Sequence, residues 1–211
     1  MNIAIISGSN VRSSGNGSIS LRTGELLKNR LKDIKGDCSI NLVDLRDYKL
    51  TPCGMCESCA ETQRCVEDED FNRLYDIIKK ADELIFICPH YAPIPSKLVI
   101  LFEKLEEMSY LGFCSGKKDF HPTNGKKAGI IAHGGMTEGY DQLYKDDILT
   151  PLTNVMECIG MKVINKMGNK PICFGVQDFE KVDNKRTYDI IYDMDGLQQA
   201  VDGFVKLYAR S

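Results

Sequence analysis

The sequence lacks an excess of basic charge and any long apolar run. In its 211 residues, 27 Lys and Arg stand against 30 Asp and Glu, for a formal net charge of -3. This balance gives no indication of a nucleic-acid partner. The apolar start NIAIIS (2–7) is too short for a signal peptide or a membrane span. We therefore expect a cytoplasmic protein that binds neither nucleic acid nor membrane.

Two glycine-rich nucleotide-binding patterns are also absent. There is no G-x-x-x-x-G-K-[ST], so a nucleoside triphosphate with magnesium is not expected as the ligand. There is no G-x-G-x-x-G either, so the dinucleotide fingerprint is missing. A phosphate ligand of this protein would need another kind of loop.

Short apolar runs alternate with amphipathic stretches along the chain. The runs predict β-strands at 2–7, 39–45, 83–89, 127–133 and 161–167, and the stretches between and after them predict helices at 18–34, 69–80, 96–110, about 140–159 and 194–209. This alternation predicts an α/β protein with a doubly wound, five-stranded parallel sheet in three layers, in the flavodoxin-like order 2-1-3-4-5. Because no linker or repeat divides the chain, we expect residues 1–211 to form a single domain.

The loop after the first strand, SGSNVRSSGNGS (7–18), is built almost wholly from Gly, Ser and Asn, with one Arg. In such sheets ligands bind beyond the carboxyl ends of the strands. Small residues let backbone N–H groups approach an anion, hydroxyls add donors, and the helix N-terminus is favourable for negative charge. A flexible polar turn would explain the composition alone. The strand–loop–helix context favours a cradle for one terminal phosphate, such as that of FMN.

The loops after the third and fourth strands are candidates for contacts to a planar ring. In PHYAPIPSK (89–97) prolines stiffen the backbone, and Tyr91 offers a flat aromatic face. In AHGGMTEGY (132–140) the paired glycines allow the main chain to approach a ring edge. His133 is a candidate donor to a flavin carbonyl or a substrate, although a His beside glycines is often only a loop residue.

These motifs resemble the NAD(P)H-dependent FMN reductases, and within them the iron–sulfur flavoproteins, from Met1 to about Gly160. The first loop is similar to the family's GSxRxxGNT pattern, with one additional residue at Gly17. The segment YAPIPSKLVILFEKL is similar to the family's third loop and helix, with Glu103-Lys104 where Asp-Arg is usual and Val99 in place of a Lys. Together, loops and resemblance predict cofactor contacts from Ser9, Arg12, Gly15, Asn16, Gly17, Ser18, Pro89, His90, Tyr91, Ala92, Pro93, Ile94, His133, Gly134 and Gly135.

Four of the nine cysteines form the motif C-x2-C-x2-C-x5-C between the second strand and second helix. In a reducing compartment structural disulfides are not expected. Zinc sites usually have two separated pairs of cysteines, whereas these four are closely spaced, which suits a [4Fe–4S] cluster better than zinc. The family resemblance also implies this cluster. Free or redox-active thiols are the alternative. The predicted metal ligands are Cys53, Cys56, Cys59 and Cys65. The acidic residues Asp68 and Asp70 follow the motif in the sequence.

The resemblance implies an FMN-dependent oxidoreductase that passes electrons from NAD(P)H, or from a ferredoxin-like donor, to a small acceptor such as a flavin or quinone. It also implies a homodimer or homotetramer. No side chain stands out as an acid–base catalyst. The alternative is a non-catalytic electron carrier of flavodoxin type that serves a protein partner, which acidic residues around the flavin loops would favour. Taken together these loops are not acidic, and the first carries Arg12.

Overall fold

The computed structural model describes residues 1–10, 18–116, 122–135, 141–164, 173–175 and 194–210. A parallel sheet forms its centre. The strands are β1 (Asn2–Ser7), β2 (Ser39–Asp44), β3 (Glu83–Pro89), β4 (Lys127–Gly134), β5 (Lys162–Val163) and β6 (Cys173–Gly175). Their main order is β2-β1-β3-β4-β5, which confirms the predicted order 2-1-3-4-5.

The three central strands are the nearly continuous apolar runs of the sequence. β1, β3 and β4 are buried along almost their whole length. Their register places Ile5 beside Ile85, and Ile85 beside Gly129. Because both faces of a parallel sheet are covered by helices, aliphatic side chains are favoured on either side of these strands.

The fifth position of the sheet differs from the single strand predicted at 161–167. β5 ends at Val163 and pairs only with the start of β4, where Lys127 is opposite Lys162. A second short strand, β6, pairs with the carboxyl end of β4, where Ala132 is opposite Cys173. The predicted strand is confirmed at Lys162 and Val163, and its last residues, 165–167, lie outside the described residues. A three-residue strand such as β6 is too short to show a period in the sequence.

Seven α-helices are described: α1 (Ile19–Lys35), α2 (Cys59–Thr62), α3 (Glu69–Lys80), α4 (Ser96–Cys114), α5 (Asp141–Tyr144), α6 (Thr150–Cys158) and α7 (Met194–Arg210). A π-helical segment (Lys145–Leu149) joins α5 to α6, so the helix predicted at about 140–159 has a changed pitch in its middle. None of the helices in these ranges combines the length and apolar character that crossing a bilayer requires.

The core has two halves, one on each face of the sheet. Ile3 and Ile5 of β1 belong to the half that α1 and α7 cover. Ala4 and Ile6 belong to the other half, which α3, α4 and α6 cover. Because neighbouring side chains of a strand point to opposite faces, one apolar strand contributes to both halves. This arrangement confirms the predicted three layers.

Candidate functional site

The three loops of the predicted site follow β1, β3 and β4, and all three start at the carboxyl edge of the sheet. Hydrogen bonds join the start of the β3 loop to β4 and the start of the β1 loop to β3. The N–H of Gly8, just after β1, donates to the carbonyl of Ile87 in β3 at 2.9 Å. The N–H of His90, just after β3, donates to the carbonyl of His133 in β4 at 2.7 Å. The sheet therefore brings residues 8–9, 90–94 and 134–135 to one edge, as the sequence predicted. Of the predicted contacts, Arg12, Gly15, Asn16 and Gly17 lie outside the described residues.

Ser18 occupies the N-cap of α1, and its hydroxyl makes no cap hydrogen bond. The residue is only 3% exposed. Its Oγ has no hydrogen-bond partner among the described residues. The first turn of α1 carries no acidic residue, so no side-chain carboxylate of that turn balances the positive end of the helix dipole. A buried hydroxyl without a partner is costly, and here it lies beside a helix terminus that favours an anion.

The second loop has a constrained backbone. Ala92 has a φ of 55°, a region that residues with a side chain seldom adopt. A hydrogen bond from the N–H of Tyr91 to the carbonyl of Pro93, at 2.7 Å, closes the turn around it. The ring of Tyr91 is 41% exposed, so it remains accessible to a planar ligand. Such local strain is typical of ligand-binding loops.

His133 is buried and hydrogen-bonded inside the protein. Its Nε2 is 2.7 Å from the hydroxyl of Ser20 in the first turn of α1. Burial lowers the pKa of His133 to about 3, so the ring is neutral near pH 7. The residue is 3% exposed. The ring of His133 thus links β4 to α1, and its predicted contact to a flavin carbonyl or a substrate stays a prediction.

The glycine pair follows His133 directly. A Cβ on Gly134 would come within 2.5 Å of the hydroxyl of Tyr144, so only glycine allows this approach. Nearby, Nε2 of His90 is 3.5 Å from a carboxylate oxygen of Asp147 in the π-helical segment. Single π turns inside helices are frequent at functional sites. The segment from Tyr144 of α5 to Asp147 of the π-helical turn therefore lies beside the second and third loops.

The cysteine motif lies in a loop that hydrogen bonds attach to α3 and α4. The N–H of Cys65 donates to the side-chain oxygen of Asn72 at 2.9 Å, and the Asn72 amide donates back to the Cys65 carbonyl at 2.8 Å. The N–H of Cys53 donates to Glu103 at 3.2 Å. The ends of the loop are thus fixed, while Cys56 in its middle is exposed.

A buried lysine of α4 lies under this loop. The side chain of Lys104 is 3% exposed, and its Nζ is 3.4 Å from Sγ of Cys65. The carboxylate of Asp68 is 3.5 Å away. Burial acts to lower the pKa of Lys104, but the hydrogen bond to Cys65 and the electrostatic interactions with Cys65 and Asp68 outweigh it and raise this pKa. Lys104 is therefore an ammonium that faces the cysteines.

The four predicted metal ligands are free thiols. Burial raises the pKa of Cys59, whereas a hydrogen bond with Ser58 lowers that of the exposed Cys56. Within the part of the chain that the structure describes, no three His, Cys, Asp or Glu side chains lie close enough together to hold a metal ion. The metal site stays a prediction.

The sequence did not predict that Ser20 pairs with His133 or that Lys104 pairs with Cys65. Ser20 and His133 are 113 positions apart, and Lys104 and Cys65 are 39 apart. No local spacing connects such pairs. Asp68 did carry a signal, because an acidic residue just before an amphipathic stretch is a typical N-cap. It accepts a hydrogen bond from the N–H of Phe71 at 2.8 Å.

Solved structures with a similar fold include several redox proteins. An azoreductase from Bacillus anthracis has a TM-score of 0.61 at 12% identity, covering 100% of this chain and 99% of that chain. An FMN-dependent NADH-azoreductase from the same species, in complex with FMN, has a TM-score of 0.56 at 15% identity, covering 100% and 99%. The flavoenzyme NAD(P)H:(acceptor) oxidoreductase FerB from Paracoccus denitrificans has a TM-score of 0.55 at 16% identity, covering 99% and 97%. At these identities the likeness concerns the fold.

A comparison with the sequences of curated proteins gave no match. The sequence model of the family described as NADPH-dependent FMN reductase matches residues 1–171. This match covers most of the chain and includes the loops after β1, β3 and β4 as well as the cysteine loop. The protein therefore belongs to the NADPH-dependent FMN reductase family of flavoprotein oxidoreductases.

Proposed function

We propose that the protein binds FMN with its phosphate at the start of α1. The observation that carries this proposal is the hydroxyl of Ser18, which is buried and has no partner among the described residues. A phosphate group would accept a hydrogen bond from this hydroxyl and from N–H groups of the first helical turn, which the helix itself leaves unused. The hydroxyl and the turn without acidic residues fit a phosphate group.

The isoalloxazine ring would lie against residues 89–94 and 134–135. Tyr91 is accessible to stack on a ring, and Gly134 and Gly135 have no side chains of their own to hold a ring away from the main chain. The flavin supplies the redox chemistry when it is bound. The role of these residues is to hold the ring at the sheet edge and to leave room for a small molecule beside it.

We further propose that NADPH or NADH supplies the electrons and that a small molecule such as a flavin or quinone accepts them. Membership of the NADPH-dependent FMN reductase family supports the transfer of electrons from NADPH or NADH to the flavin. Anaerobic stopped-flow mixing of the FMN-loaded protein with NADH or NADPH should bleach the flavin absorbance. If neither reduces it while a reduced ferredoxin does, the protein is a ferredoxin-fed enzyme or an electron carrier.

The cysteine loop is proposed to bind a [4Fe–4S] cluster. Four free thiols on one loop, beside the ammonium of Lys104, offer the donors and the compensating charge that such a cluster needs. Binding requires the loop to draw the thiols together. Anaerobic reconstitution with iron and sulfide should give about four irons per chain. The variant Cys59→Ser should lose them, whereas Cys114→Ser, which changes an exposed cysteine of α4, should not. Reconstituted wild-type protein without iron would instead favour free or redox-active thiols.

The FMN site is tested by comparing two serine variants. Ser18→Ala should weaken FMN binding by roughly 10- to 150-fold, since a hydrogen bond to a charged group contributes about 1.5–3 kcal/mol. Ser109→Ala is the matched control, because Ser109 of α4 is also buried with a hydroxyl that lacks a partner in the described part of the chain. The Ser109→Ala variant should bind FMN with the affinity of the wild-type protein. Equal affinities of both variants, measured by flavin fluorescence titration, would contradict the phosphate assignment.

A further inference from the structure

One buried hydrogen bond joins the first turn of α1, where the FMN phosphate is proposed to bind, to the end of β4, from which the third loop starts. Nε2 of His133, at the end of β4, is 2.7 Å from the hydroxyl of Ser20 in α1. Ser20 is 0% and His133 3% exposed. In this shielded setting the contact does not compete with water.

The position of Ser20 gives this contact a consequence for anion binding. Ser18 is the N-cap of α1, so Ser20 is the second residue of its first turn. The helix uses its first backbone donor at Arg22, whose N–H bonds to the Ser18 carbonyl at 3.0 Å. The N–H of Ser20 is thus one of the terminal donors available to a phosphate. Whatever fixes Ser20 also fixes the direction of these donors.

His133 is itself fixed by the strand that carries it. It is the penultimate residue of β4 and is paired in register with Pro89 of β3. Its carbonyl accepts from the N–H of His90 at 2.7 Å. The ring is neutral at pH 7, so it accepts from or donates to a hydroxyl without placing a cation beside the helix terminus. The Ser20–His133 bond therefore connects the start of α1 to the hydrogen-bonded carboxyl end of β4.

We propose that His133 is a positioning residue for the cofactor phosphate: through Ser20 it holds the first turn of α1 in the orientation that binds the phosphate. This inference rests on the FMN site proposed above. It predicts selectivity, because riboflavin has the same ring system and no phosphate. Loss of the contact should weaken the binding of FMN and leave that of riboflavin unchanged.

The test is a double-mutant cycle on Ser20 and His133, with FMN and riboflavin as the two ligands. Ser20→Ala and His133→Leu should each weaken FMN binding about 2- to 10-fold, the range expected for one intramolecular hydrogen bond. The double variant should be no weaker than either single one, since both remove the same contact. His133→Gln, which keeps a polar atom near the position of Nε2, should restore much of the affinity. Ser20→Ala should fold normally, since alanine is the better helix former.

Each result has a definite meaning. Unchanged FMN affinity in Ser20→Ala, together with weakened binding in Ser18→Ala, would overturn the role of His133 and leave the phosphate site intact. Equal losses for FMN and riboflavin would also overturn it, because they would indicate a general effect on packing. Wild-type protein that binds FMN no better than riboflavin would contradict the phosphate site itself, and the inference with it.

Discussion

Asp68 and Asp70, two of the acidic residues that follow the last cysteine of the motif, should differ greatly in their effect on stability. Asp68 has a side chain that is 1% exposed. It accepts hydrogen bonds from the N–H of Phe71 at 2.8 Å and from the N–H and hydroxyl of Thr51 at 2.8 and 3.1 Å. It also faces Lys104. Asp70 pairs with the exposed Arg73 and accepts from the N–H of Lys49 near the surface.

Asp68→Ala should therefore lower the free energy of unfolding by about 3–5 kcal/mol, since it leaves the ammonium of Lys104 buried without its carboxylate. This is a large share of the roughly 5–15 kcal/mol of an ordinary domain. Asp70→Ala, the matched control, should lower the free energy of unfolding far less, because a solvent-exposed ion pair contributes little to stability. Equilibrium unfolding in urea, with the thiols kept reduced, measures both.

Two results would refute this reasoning. One is a loss in Asp68→Ala that is no larger than in Asp70→Ala. The other concerns the double variant Asp68→Ala with Lys104→Met, which removes both charges of the buried pair. It should be more stable than Asp68→Ala alone, because an unpaired buried charge is worse than none. A double variant that is less stable would show that Lys104 does not depend on Asp68.

Two further predictions concern the carboxyl edge of the sheet. His133 has a pKa of about 3 in the folded protein and about 6.5 when unfolded. Its stabilising effect is therefore complete above about pH 6.5 and is lost as the pH falls towards 3, with a loss of about 2 kcal/mol between pH 7 and 5. Urea unfolding of His133→Gln at both pH values should lack this loss, and an equal loss in both proteins would contradict the assignment. Gly8→Ala should destabilise the protein by about 1–3 kcal/mol, since its Cβ would lie 2.4 Å from Cδ1 of Leu98 and 3.2 Å from the carbonyl oxygen of Ile87. In the control Gly203→Ala, a Cβ meets nothing within 4 Å, so the change should be neutral or stabilising, and equal losses in the two variants would contradict the packing argument.

The order of the sheet was predictable because local signals agreed with the fold. The buried strands β1, β3 and β4 are apolar runs, and polar loops follow them at the edge where ligands bind in such sheets. The position of Ser18 before the first long helix likewise followed from its sequence context. The strands, the loops after them and the start of the helix depend on residues that are close together in the chain, so a sequence pattern can predict them.

Contacts between distant parts of the chain were not predictable. The partner of His133 is in α1, and only the parallel pairing of β1, β3 and β4 brings the two together. Glu103 and Lys104 departed from the Asp-Arg of the family pattern, yet in the fold Glu103 accepts from Cys53 and Lys104 faces Cys65. The departure therefore keeps a carboxylate and a cation beside the cysteine loop.

The most direct test of the account is a crystal structure of the wild-type protein with FMN. The phosphate should accept hydrogen bonds from the hydroxyl of Ser18 and from the N–H of Ser20, with the ring between residues 89–94 and 134–135. The Ser20–His133 contact should be present beneath the phosphate. A phosphate bound elsewhere, with the hydroxyl of Ser18 still lacking a partner, would contradict the account.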